Sequence, residues 1–466
     1  MLGIDLDRKS DMNLSRQIFS TIKNYIVTGQ LPQGESLPST RALATHLNVS
    51  RNTVSEAYEM LWTEGFTISQ QGAPTTVATG LHLHQEILSP PKTTDNSTNA
   101  TNHTILYDFK TGQPDLSLFP WNIWTKMIRH ASENLLEHQW GYSDSKGYEP
   151  LCEEIAKWLF RSRGMIVDAQ DIYITAGATQ AIHVLIDLLY REHHPFVVEN
   201  PSHSGTRTII QQKNYPIHWV NVDHDGALID TIPSKAWSAV NVTPSHQFPL
   251  GGIMSAKRRI DLIQLAKKNN FYIIEDDYDS EFRYVGAPIS PIYSIDHSNV
   301  IYVGTFSKTL FPALRIGFAI VPKSLQSEWT KRRIYMDVQN PILEQVALTE
   351  FLKSRKIDKH IQKMRRIYKT KRTLLLECIQ HEFGEKATVW GDASGLHLVL
   401  QLSHLHITPS FIQQSQLAGI KIYPLNDYYD DKSTQNDKIL IGYGHLSENQ
   451  IKEGIHALAQ SMNKDC

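Results

Sequence analysis

Ionisable residues in the second half of the sequence come directly after apolar runs. Lys308 follows NVIYV through GTFSK, and Arg315 stands seven residues further on. A lysine just beyond a buried strand is partly desolvated, which lowers the pKa of its amine and makes it a candidate Schiff-base nucleophile. Asp276 ends the run FYIIED, where a buried carboxylate can keep a pyridine nitrogen protonated, and Tyr278 can then hydrogen-bond a ring hydroxyl. These residues are therefore candidates for holding one heterocyclic cofactor.

Three further polar turns follow other apolar runs. In TAGATQA the chain turns at Gly177 into a helical pattern, so backbone N–H groups near Ala178 and the hydroxyl of Thr179 can bind a phosphate. His203 follows PFVVEN, where a flat ring can stack on a cofactor, and VTPSHQFPLGG adds a polar turn after another run. Each of these features alone has an ordinary structural explanation. A lysine after a strand is usually a surface group, an aspartate is often a helix cap, and a glycine turn can be only a turn. Their joint order at successive strand ends favours a shared site.

These turns require a sheet that brings strand ends together. Strand-like runs are DIYITAG (171–177), PFVVEN (195–200), SAVNVTP (238–244), FYIIEDD (271–277) and NVIYVGT (299–305). Helical patterns such as ATQAIHVLIDLLYRE and SAKRRIDLIQLAKKNN lie between several of them. This order predicts an α/β fold with a mostly parallel sheet covered on both faces, in which ligands collect at the carboxyl ends of the strands.

Composition limits the class of protein. The 466 residues include 46 Lys and Arg against 48 Asp and Glu, a formal net charge of −2, which argues against a surface built entirely for polyanions. The three cysteines, Cys152, Cys378 and Cys466, are far apart, so neither a disulfide framework nor a metal site is predicted. No stretch has the roughly 18 apolar residues of a membrane span, and no secretory signal opens the chain. We therefore expect a cytoplasmic protein with no membrane partner.

The sequence divides at SPPKTTDNSTNATNHT, residues 89–104, which has almost no large apolar residue. Such a segment cannot bury enough surface to offset its ordering entropy, so we interpret it as a flexible linker. The predicted organisation is a multidomain chain with a small N-terminal domain at 1–80, a linker at 81–106 and a large domain at 107–466.

The small domain has the pattern of a helix-turn-helix. Apolar residues recur at helical spacing in two short segments, at Leu43, Ala44 and Leu47 and then at Val54, Ala57, Tyr58 and Leu61. Only Asn48, Val49 and Ser50 join the two segments, which leaves room for a tight turn, and Ser50 is a good N-cap for the second helix.

Two sets of residues in this domain are candidates for contacting DNA. Polar residues at the start of the first helix can hold phosphates, and those at the start of the second helix can point into a major groove. The candidates are Ser39, Thr40 and Arg41 in the first set and Ser50, Arg51, Asn52 and Thr53 in the second. Residues 1–80 are not basic, with six Lys and Arg and seven Asp and Glu, but residues 36–55 contain two arginines and no acid. Two amphipathic helices also occur in small helical domains with no role in DNA binding.

The phrase LPQGESLPSTRALATHLNVSRNTVSEAYEMLWTEGF resembles the winged-helix domain of GntR-family regulators. That resemblance implies an α+β winged helix-turn-helix that binds double-stranded operator DNA. Its wing reads TISQQGAPTTVA, with Ala73 and Pro74 where the family usually has Ser-Gly or similar. Because a proline removes a ladder donor, the wing departs from the family pattern while the helices follow it.

The segment from Tyr107 onward resembles fold-type I aminotransferases, which depend on pyridoxal 5'-phosphate. The phrases YDFKTGQPDLSLFPWNIW, VTPSHQFPLG, IIEDDYDSEF and GTFSKTLFPALRIGF are similar to those of MocR/GabR regulators, which fuse a GntR-type winged helix to such a domain. The resemblance implies that Lys308 forms the Schiff base, that Asp276 pairs with the pyridine nitrogen and that Tyr278 meets the ring hydroxyl. It implies a phosphate site made by Thr305, Ser307, Arg315, Ala178 and Thr179.

Three positions carry further implications of this resemblance. Tyr142 in YSDSKG matches the tyrosine that aminotransferases contribute to the phosphate site of the partner subunit. His203 stands where the family usually has a stacking aromatic residue. In ILIGYGHLSENQI, Leu440 takes the place of the arginine that grips the carboxylate of an amino-acid ligand. Either Lys438 or His445 substitutes for it, or the effector is not an ordinary amino acid held in that way.

These features predict a dimeric transcription regulator, a head-to-tail, domain-swapped homodimer on the family pattern. It would sense a small amine, an amino acid or pyridoxal 5'-phosphate itself, and so control amino-acid or vitamin B6 metabolism. The absence of the arginine favours a sensor over an enzyme. One alternative is an active pyridoxal-phosphate-dependent aminotransferase with an appended DNA-binding domain, and another is a degenerate domain that only dimerises. The sequence does not identify the operator, the regulated genes or the direction of regulation.

Overall fold

The computed structural model describes residues 2–69, 73–81, 104–286, 289–391, 393–403, 406–431 and 436–462. The chain divides into two compact units, Met1–Thr101 and Asn102–Cys466. Most of the predicted linker lies outside the described residues, as do part of the wing and Cys466. Cys152 and Cys378 are free thiols. None of the helices in the described ranges combines the length and the apolar character needed to cross a bilayer.

The first unit consists of three helices followed by a short hairpin. Its elements are α1 (Leu14–Val27), α2 (Thr40–Leu47), α3 (Arg51–Thr63), β1 (Thr67–Ile68) and β2 (Thr76–Val77). The strands β1 and β2 pair antiparallel, with Thr67 opposite Val77. Pro74 lies in the connection between them and not in either strand, so the ladder keeps its donors.

The predicted helix-turn-helix is confirmed in α2 and α3. Each helix begins with a serine cap: Ser39 Oγ accepts from the Ala42 amide at 3.2 Å, and Ser50 Oγ accepts from the Thr53 amide at 3.1 Å. Between them Asn48 takes the left-handed conformation, with φ of 51°, which asparagine adopts more readily than most residues.

The apolar faces of these helices meet α1 in a single core. The predicted residues are buried there, except for Leu47, which is half-buried. Their partners on α1 include Ile18, Ile22 and Ile26. This core fixes the angle at which α3 presents its first turn.

The second unit alternates strands and helices over most of its length. Its helices are α4 (Trp121–Asn134), α5 (Glu149–Arg163), α6 (Ala178–Leu189), α7 (Ser204–Gln212), α8 (Ala256–Asn269), α9 (Lys323–Arg333), α10 (Ile342–Lys353), α11 (Lys356–Phe383), α12 (Pro409–Leu417) and α13 (Glu448–Met462). Its strands are β3 (Tyr107–Asp108), β4 (Ile172–Thr175), β5 (Phe196–Asn200), β6 (Ile217–Asp223), β7 (Gly226–Ala227), β8 (Ala239–Val242), β9 (Tyr272–Asp277), β10 (Val300–Thr305), β11 (Gly317–Ile320), β12 (Ala387–Trp390), β13 (His397–Leu402), β14 (Ile420–Lys421), β15 (Tyr423–Pro424) and β16 (Lys438–Gly442).

Eight strands form one large sheet in the order β4-β11-β10-β9-β8-β5-β6-β7. The central run from β10 to β6 is parallel throughout, while β11 and β7 run antiparallel to their neighbours. The prediction of a mostly parallel sheet is therefore confirmed, and all five predicted strands belong to it. The antiparallel β11 was not predicted.

Helices cover both faces of this sheet. Along β10, Val300 and Tyr302 contact one apolar core, whereas Ile301 and Val303 contact the other, as the alternation of side chains along a strand requires. A strand buried on both faces reads as a continuous apolar run, which is why these runs were recognisable in the sequence.

A smaller antiparallel sheet, β12-β13-β16-β15, follows near the C-terminus. It shares a separate apolar core with α11 and α13. Leu440 lies on β16, opposite Val399 of β13 and Tyr423 of β15.

The cap of α3 gives a testable prediction. Ser50→Ala removes the acceptor of the Thr53 amide and is expected to destabilise the helix by about 1 kcal/mol. Hydrogen exchange of the α3 amides in the full chain would then be faster by roughly fivefold. Ser55→Ala, at an exposed position inside the same helix, is the matched control and should not accelerate exchange. Equal exchange in the two variants would contradict the assignment of Ser50 as a cap.

Candidate functional site

The carboxyl edge of the large sheet opens into a cavity of about 250 Å³. It brings together every residue predicted to hold the cofactor except Tyr142. These residues are Lys308, Asp276, Tyr278, Thr305, Ser307, Arg315, Ala178, Thr179 and His203. The cavity is also lined by Thr111, Gly112, Ile182, Ser204, Thr243, Phe248, Pro312, His397 and Tyr428.

Lys308 follows β10 and points its amine into this cavity. Its Nζ donates a hydrogen bond to the backbone oxygen of Gly112 at 3.0 Å. Burial lowers the pKa of Lys308, although the nearby charges of Asp279 and Asp276 act in the opposite direction. A larger fraction of this amine is therefore unprotonated than of an exposed lysine, as a nucleophile for a carbonyl group requires.

Asp276 lies near the end of β9, which is the parallel neighbour of β10. Its Oδ1 is buried and has no hydrogen-bond partner among the described residues. Burial, together with the nearby charges of Asp277 and Asp279, raises the pKa of Asp276 to about 7. A buried acceptor of this kind is costly when it has no partner. It fits a protonated ring nitrogen, which would supply both the missing hydrogen bond and a compensating charge.

The opposite side of the cavity has the features of a phosphate site. The N-terminus of α6 presents Ala178 and Thr179, preceded by Gly177 at φ of +83°. A Cβ atom at Gly177 would lie 2.9 Å from Arg315 Nη2, and the positive φ is one that side chains rarely adopt, so glycine suits this position. Arg315 donates to the backbone oxygen of Ala176, which holds its guanidinium beside the helix terminus. The positive end of the α6 helix dipole and the guanidinium of Arg315 therefore lie at the same place in the cavity.

Two hydroxyl groups after β10 are positioned in the same region. Thr305 Oγ1 lies 3.1 Å from Ser307 Oγ and accepts the backbone N–H of Ser307 at 3.2 Å. This local turn orders both side chains before a ligand binds.

Tyr278 is held by a buried histidine that sequence reasoning missed. Its hydroxyl lies 3.0 Å from His246 Nδ1, and the same nitrogen lies 2.9 Å from Asp279 Oδ1. Burial raises the pKa of Tyr278 well above its usual value, so its phenol stays protonated. His246 belongs to the polar turn VTPSHQFPLGG, but nothing in the sequence indicated Asp279 as its partner.

His397 also lines the cavity, although no pattern in the sequence indicated it. It lies at the start of β13, its Nε2 is 3.1 Å from the Pro249 oxygen, and burial lowers its pKa to about 4. Ligand-type atoms of His246, Asp279 and His397 lie within 4.8 Å of one another. The hydrogen bond between His246 and Asp279 already uses the nitrogen that faces the carboxylate, so we describe this group as a hydrogen-bonded network.

His203 caps α7, its Nδ1 accepting the Gly205 amide at 3.1 Å. Its ring centroid lies 5.5 Å from that of Phe248, and burial lowers its pKa. Tyr142 lies outside the cavity and is 91% exposed.

Leu440 lies in an apolar cluster beside the cavity. It is fully buried and clusters with Phe248, Leu250, Val399 and Leu425. The two candidate substitutes for an arginine contact other groups. Lys438 Nζ lies 3.3 Å from Asp437 Oδ1, and His445 Nε2 lies 2.9 Å from the Asp108 oxygen. Neither lines the cavity.

In the first unit the predicted DNA-contacting residues lie together at the start of α2 and α3. Arg51 Nε donates to Thr40 Oγ1 at 3.3 Å, which links the two helix termini. Ser39, Arg41, Ser50, Arg51 and Asn52 are exposed, while Thr40 and Thr53 are half-buried. The surface is polar and carries two arginines, and the stretch 36–55 that contains them has no acidic residue.

Two family models match the chain. "Bacterial regulatory proteins, gntR family" matches residues 14–77, and "Aminotransferase class I and II" matches residues 106–437. The chain is 33% identical over 460 residues to "Uncharacterized HTH-type transcriptional regulator YdeL" of Bacillus subtilis, with 97% of each chain covered. It is 30% identical over 455 residues to "HTH-type pyridoxine biosynthesis transcriptional regulator PdxR" of Corynebacterium glutamicum, with 97% and 96% covered.

Solved structures share the fold of the second unit. A kynurenine aminotransferase of Pyrococcus horikoshii matches with a TM-score of 0.71 and 24% identity, over 78% of this chain and 92% of that one. An α-aminoadipate aminotransferase of Thermus thermophilus, complexed with N-(5'-phosphopyridoxyl)-L-leucine, matches with a TM-score of 0.71 and 21% identity, over 78% and 94%.

The raised pKa of Asp276 predicts that Asp276→Asn stabilises the cofactor-free protein above pH 7. The unfolded chain ionises this group near 3.8 and the folded chain near 7, so the folded state binds more protons between these values. The stability contributed by this group therefore falls as pH rises through that window. Because Asp276 as a whole residue is half-buried, although its Oδ1 is buried, we expect a gain on the order of 2 kcal/mol at pH 8, below the ~4 kcal/mol that the full shift would give.

Urea unfolding of the cofactor-free chain at pH 5 and pH 8 measures this effect. Asp230→Asn, at an exposed position, is the control and should leave both values unchanged. A variant Asp276→Asn that is less stable than the unchanged protein at pH 8 would contradict the explanation.

Proposed function

Since this chain belongs to the family of HTH-type transcriptional regulators that join a gntR-type DNA-binding domain to a class I and II aminotransferase domain, we propose that it binds operator DNA under the control of pyridoxal 5'-phosphate held at Lys308. The observation that carries the cofactor proposal is the buried, unpartnered Oδ1 of Asp276 in the same cavity as the Lys308 amine.

Each part of the cofactor has a matching group in the cavity. When bound, pyridoxal 5'-phosphate supplies an aldehyde carbonyl and an electron-withdrawing pyridine ring. The amine of Lys308 would hold the cofactor at its aldehyde group, and its lowered pKa favours the neutral form that this requires. The carboxylate of Asp276 would accept the ring N–H, and the protonated phenol of Tyr278 would donate to the ring oxygen. Asp279 and His246 position that phenol.

The phosphate group is proposed to bind at the N-terminus of α6 and beside Arg315. The backbone of Ala178, the hydroxyls of Thr179, Thr305 and Ser307, and the guanidinium of Arg315 would hold it. His203 would lie against the ring, with less stacking area than a larger aromatic residue provides.

We propose that a second copy of the chain completes the site. The support is Tyr142, a large aromatic residue that is 91% exposed at the position where aminotransferases contribute a tyrosine to their partner. A homodimer of this kind would also present two DNA-binding units, and two modest affinities reinforce each other when they are linked. We place this regulator in the cytoplasm, where its DNA lies.

The cofactor itself is the proposed signal. Leu440 belongs to an apolar cluster beside the cavity. It stands at the position where aminotransferases have an arginine that binds the carboxylate of an amino acid. An amino acid would lack that clamp and be poorly oriented for proton transfer. A relative of this chain is named a regulator of pyridoxine biosynthesis, which agrees with a sensor of vitamin B6 status.

Lys308→Ala tests the cofactor proposal and the signal together. The variant is expected to lose the absorbance band of covalently bound cofactor, because Lys308 is the one lysine among the described residues that line the cavity. Its affinity for operator DNA should no longer change when pyridoxal 5'-phosphate is added. Lys386→Ala, at an exposed lysine, is the control and should keep both properties.

The outcomes separate the hypotheses. If the operator affinity of the unchanged protein is the same with and without cofactor, the proposal that the cofactor is the signal is wrong. The absorbance band then decides separately whether the cofactor binds at Lys308. Steady conversion of an amino acid to its keto acid would favour the alternative of an active aminotransferase.

Arg41→Ala and Arg51→Ala test the DNA-binding surface. Each is expected to weaken operator binding by about 1–3 kcal/mol, or roughly 5- to 150-fold, because each removes a charged contact to phosphate or base. Arg16→Ala changes the charge of the same unit at an exposed position of α1 and should have little effect. Fluorescence anisotropy with the upstream DNA of the protein's own gene measures all three. Equal loss in the three variants would indicate a general electrostatic effect.

A further inference from the structure

A second cavity, of about 580 Å³, lies in the same unit between the C-terminal end of α5, the segment 280–286 that follows β9, and the first part of α11. Among the described residues it shares no lining residue with the cofactor cavity. Its volume is typical of small-molecule sites, which range from roughly 300 to 1,000 Å³. We call it the arginine cavity.

The lining of this cavity is strongly basic. Its ionisable residues are Arg161, Arg163, Arg283, Arg355, Arg365, Glu281 and Asp358. Five arginines against two acids leave a formal excess of three positive charges in a chain whose total is −2. Like charges gathered around one space repel each other, so the arrangement gains from an anion within it.

Two of these arginines form the wall. Arg163 Nη2 lies 3.0 Å from Asp277 Oδ2 and 3.3 Å from Glu281 Oε1, and its side chain is almost wholly buried. Arg365 donates through Nε and Nη2 to the Glu281 backbone oxygen, at 2.9 and 2.7 Å. The donors named here already contact protein groups, so Arg163 and Arg365 are structural parts of the cavity wall.

Two others have buried donors without a hydrogen-bond partner among the described residues. Nε and Nη2 of Arg161, and Nε and Nη1 of Arg283, are buried and make no hydrogen bond to the described residues. Arg161 has one ion pair, from its Nε to Asp358 Oδ2 at 3.4 Å. A buried charged donor that lacks an acceptor costs more free energy than a neutral one does. Planar guanidinium groups satisfy this need best with the paired oxygens of a phosphate or carboxylate.

We propose that the arginine cavity binds a small, multiply charged oxyanion, with Arg161 and Arg283 as its donors. The shared chemistry is that of a phosphorylated or polycarboxylate metabolite. The cavity is one ion pair away from the cofactor cavity, since Arg163 contacts Asp277 and Asp277 follows Asp276 in β9. Because the two cavities share no lining residue among the described residues, this proposal does not rest on the cofactor chemistry proposed above.

The test uses the full-length protein loaded with pyridoxal 5'-phosphate and then freed of unbound cofactor by gel filtration. The phosphate site of the cofactor cavity is then filled, and no free phosphorylated compound competes for the arginine cavity. Isothermal titration calorimetry at constant ionic strength is performed with pyrophosphate and, separately, with citrate. We expect saturable binding of at least one of them, weakened at least tenfold in Arg161→Gln and in Arg283→Gln. Arg332→Gln, which removes an exposed arginine paired with Glu328, should bind as tightly as the unchanged protein.

The variant Arg283→Lys guards against a folding defect, because it keeps the charge and loses only the planar pair of donors. It should bind more weakly than the unchanged protein and give the same circular dichroism spectrum. Tighter binding of pyrophosphate assigns a phosphorylated ligand, and tighter binding of citrate assigns a polycarboxylate. No saturable binding of either anion, or an equal loss in Arg332→Gln, overturns the proposal. Duplex DNA binding that is lost in the Arg161 and Arg283 variants, without binding of either small anion, would assign these arginines to a DNA backbone and also overturn it.

Discussion

The parallel pairing of β9 and β10 brings a carboxyl group and an amine into one small cavity that solvates neither fully. Asp276 lies opposite Val303 in the register of these strands, so the side chains near their carboxyl ends emerge at the same edge of the sheet. Burial favours the neutral form of both groups, raising the pKa of Asp276 and lowering that of Lys308. A ligand that supplies a positive N–H and a carbonyl group would relieve both costs. The rest of the site depends on this shared desolvation.

The end of β9 has to be rigid for that arrangement to persist. Successive side chains of a strand point to opposite faces, so Asp277 is directed away from Asp276. It forms an ion pair with Arg163, at 3.0 Å, and accepts a hydrogen bond from the Tyr302 hydroxyl at 2.7 Å. The Asp277 carboxylate, which has these partners, fixes the strand on the face away from the cofactor cavity. The Asp276 carboxylate, whose Oδ1 has no hydrogen-bond partner among the described residues, faces that cavity. The same alternation connects the cofactor cavity to the arginine cavity through two consecutive residues.

The sequence predicted those features that depend on local order along the chain. The five strands of the parallel sheet were recognisable as apolar runs, and the residues that follow them converge because parallel strands share an edge. The pairing of His246 with Asp279, 33 residues apart, and that of Lys308 with Gly112, 196 residues apart, leave no local pattern. The strand β11 was not among the predicted strands, and an apolar run would not have indicated its antiparallel direction. The unpartnered donors of Arg161 and Arg283 were missed because burial of a guanidinium depends on three segments that are distant in the sequence.

The near-neutral total charge hides two local concentrations of positive charge. One is the acid-free stretch 36–55, which places Arg41 and Arg51 on the exposed termini of α2 and α3. The other is the arginine cavity, which collects five guanidinium groups around two acids. The first is exposed and therefore suited to a large polyanion, whose contacts are screened by salt. The second has donors withdrawn from water, where each charge interacts more strongly and a small anion can be enclosed. Burial, rather than the number of charges, thus distinguishes the kind of anion that each part of the chain is suited to bind.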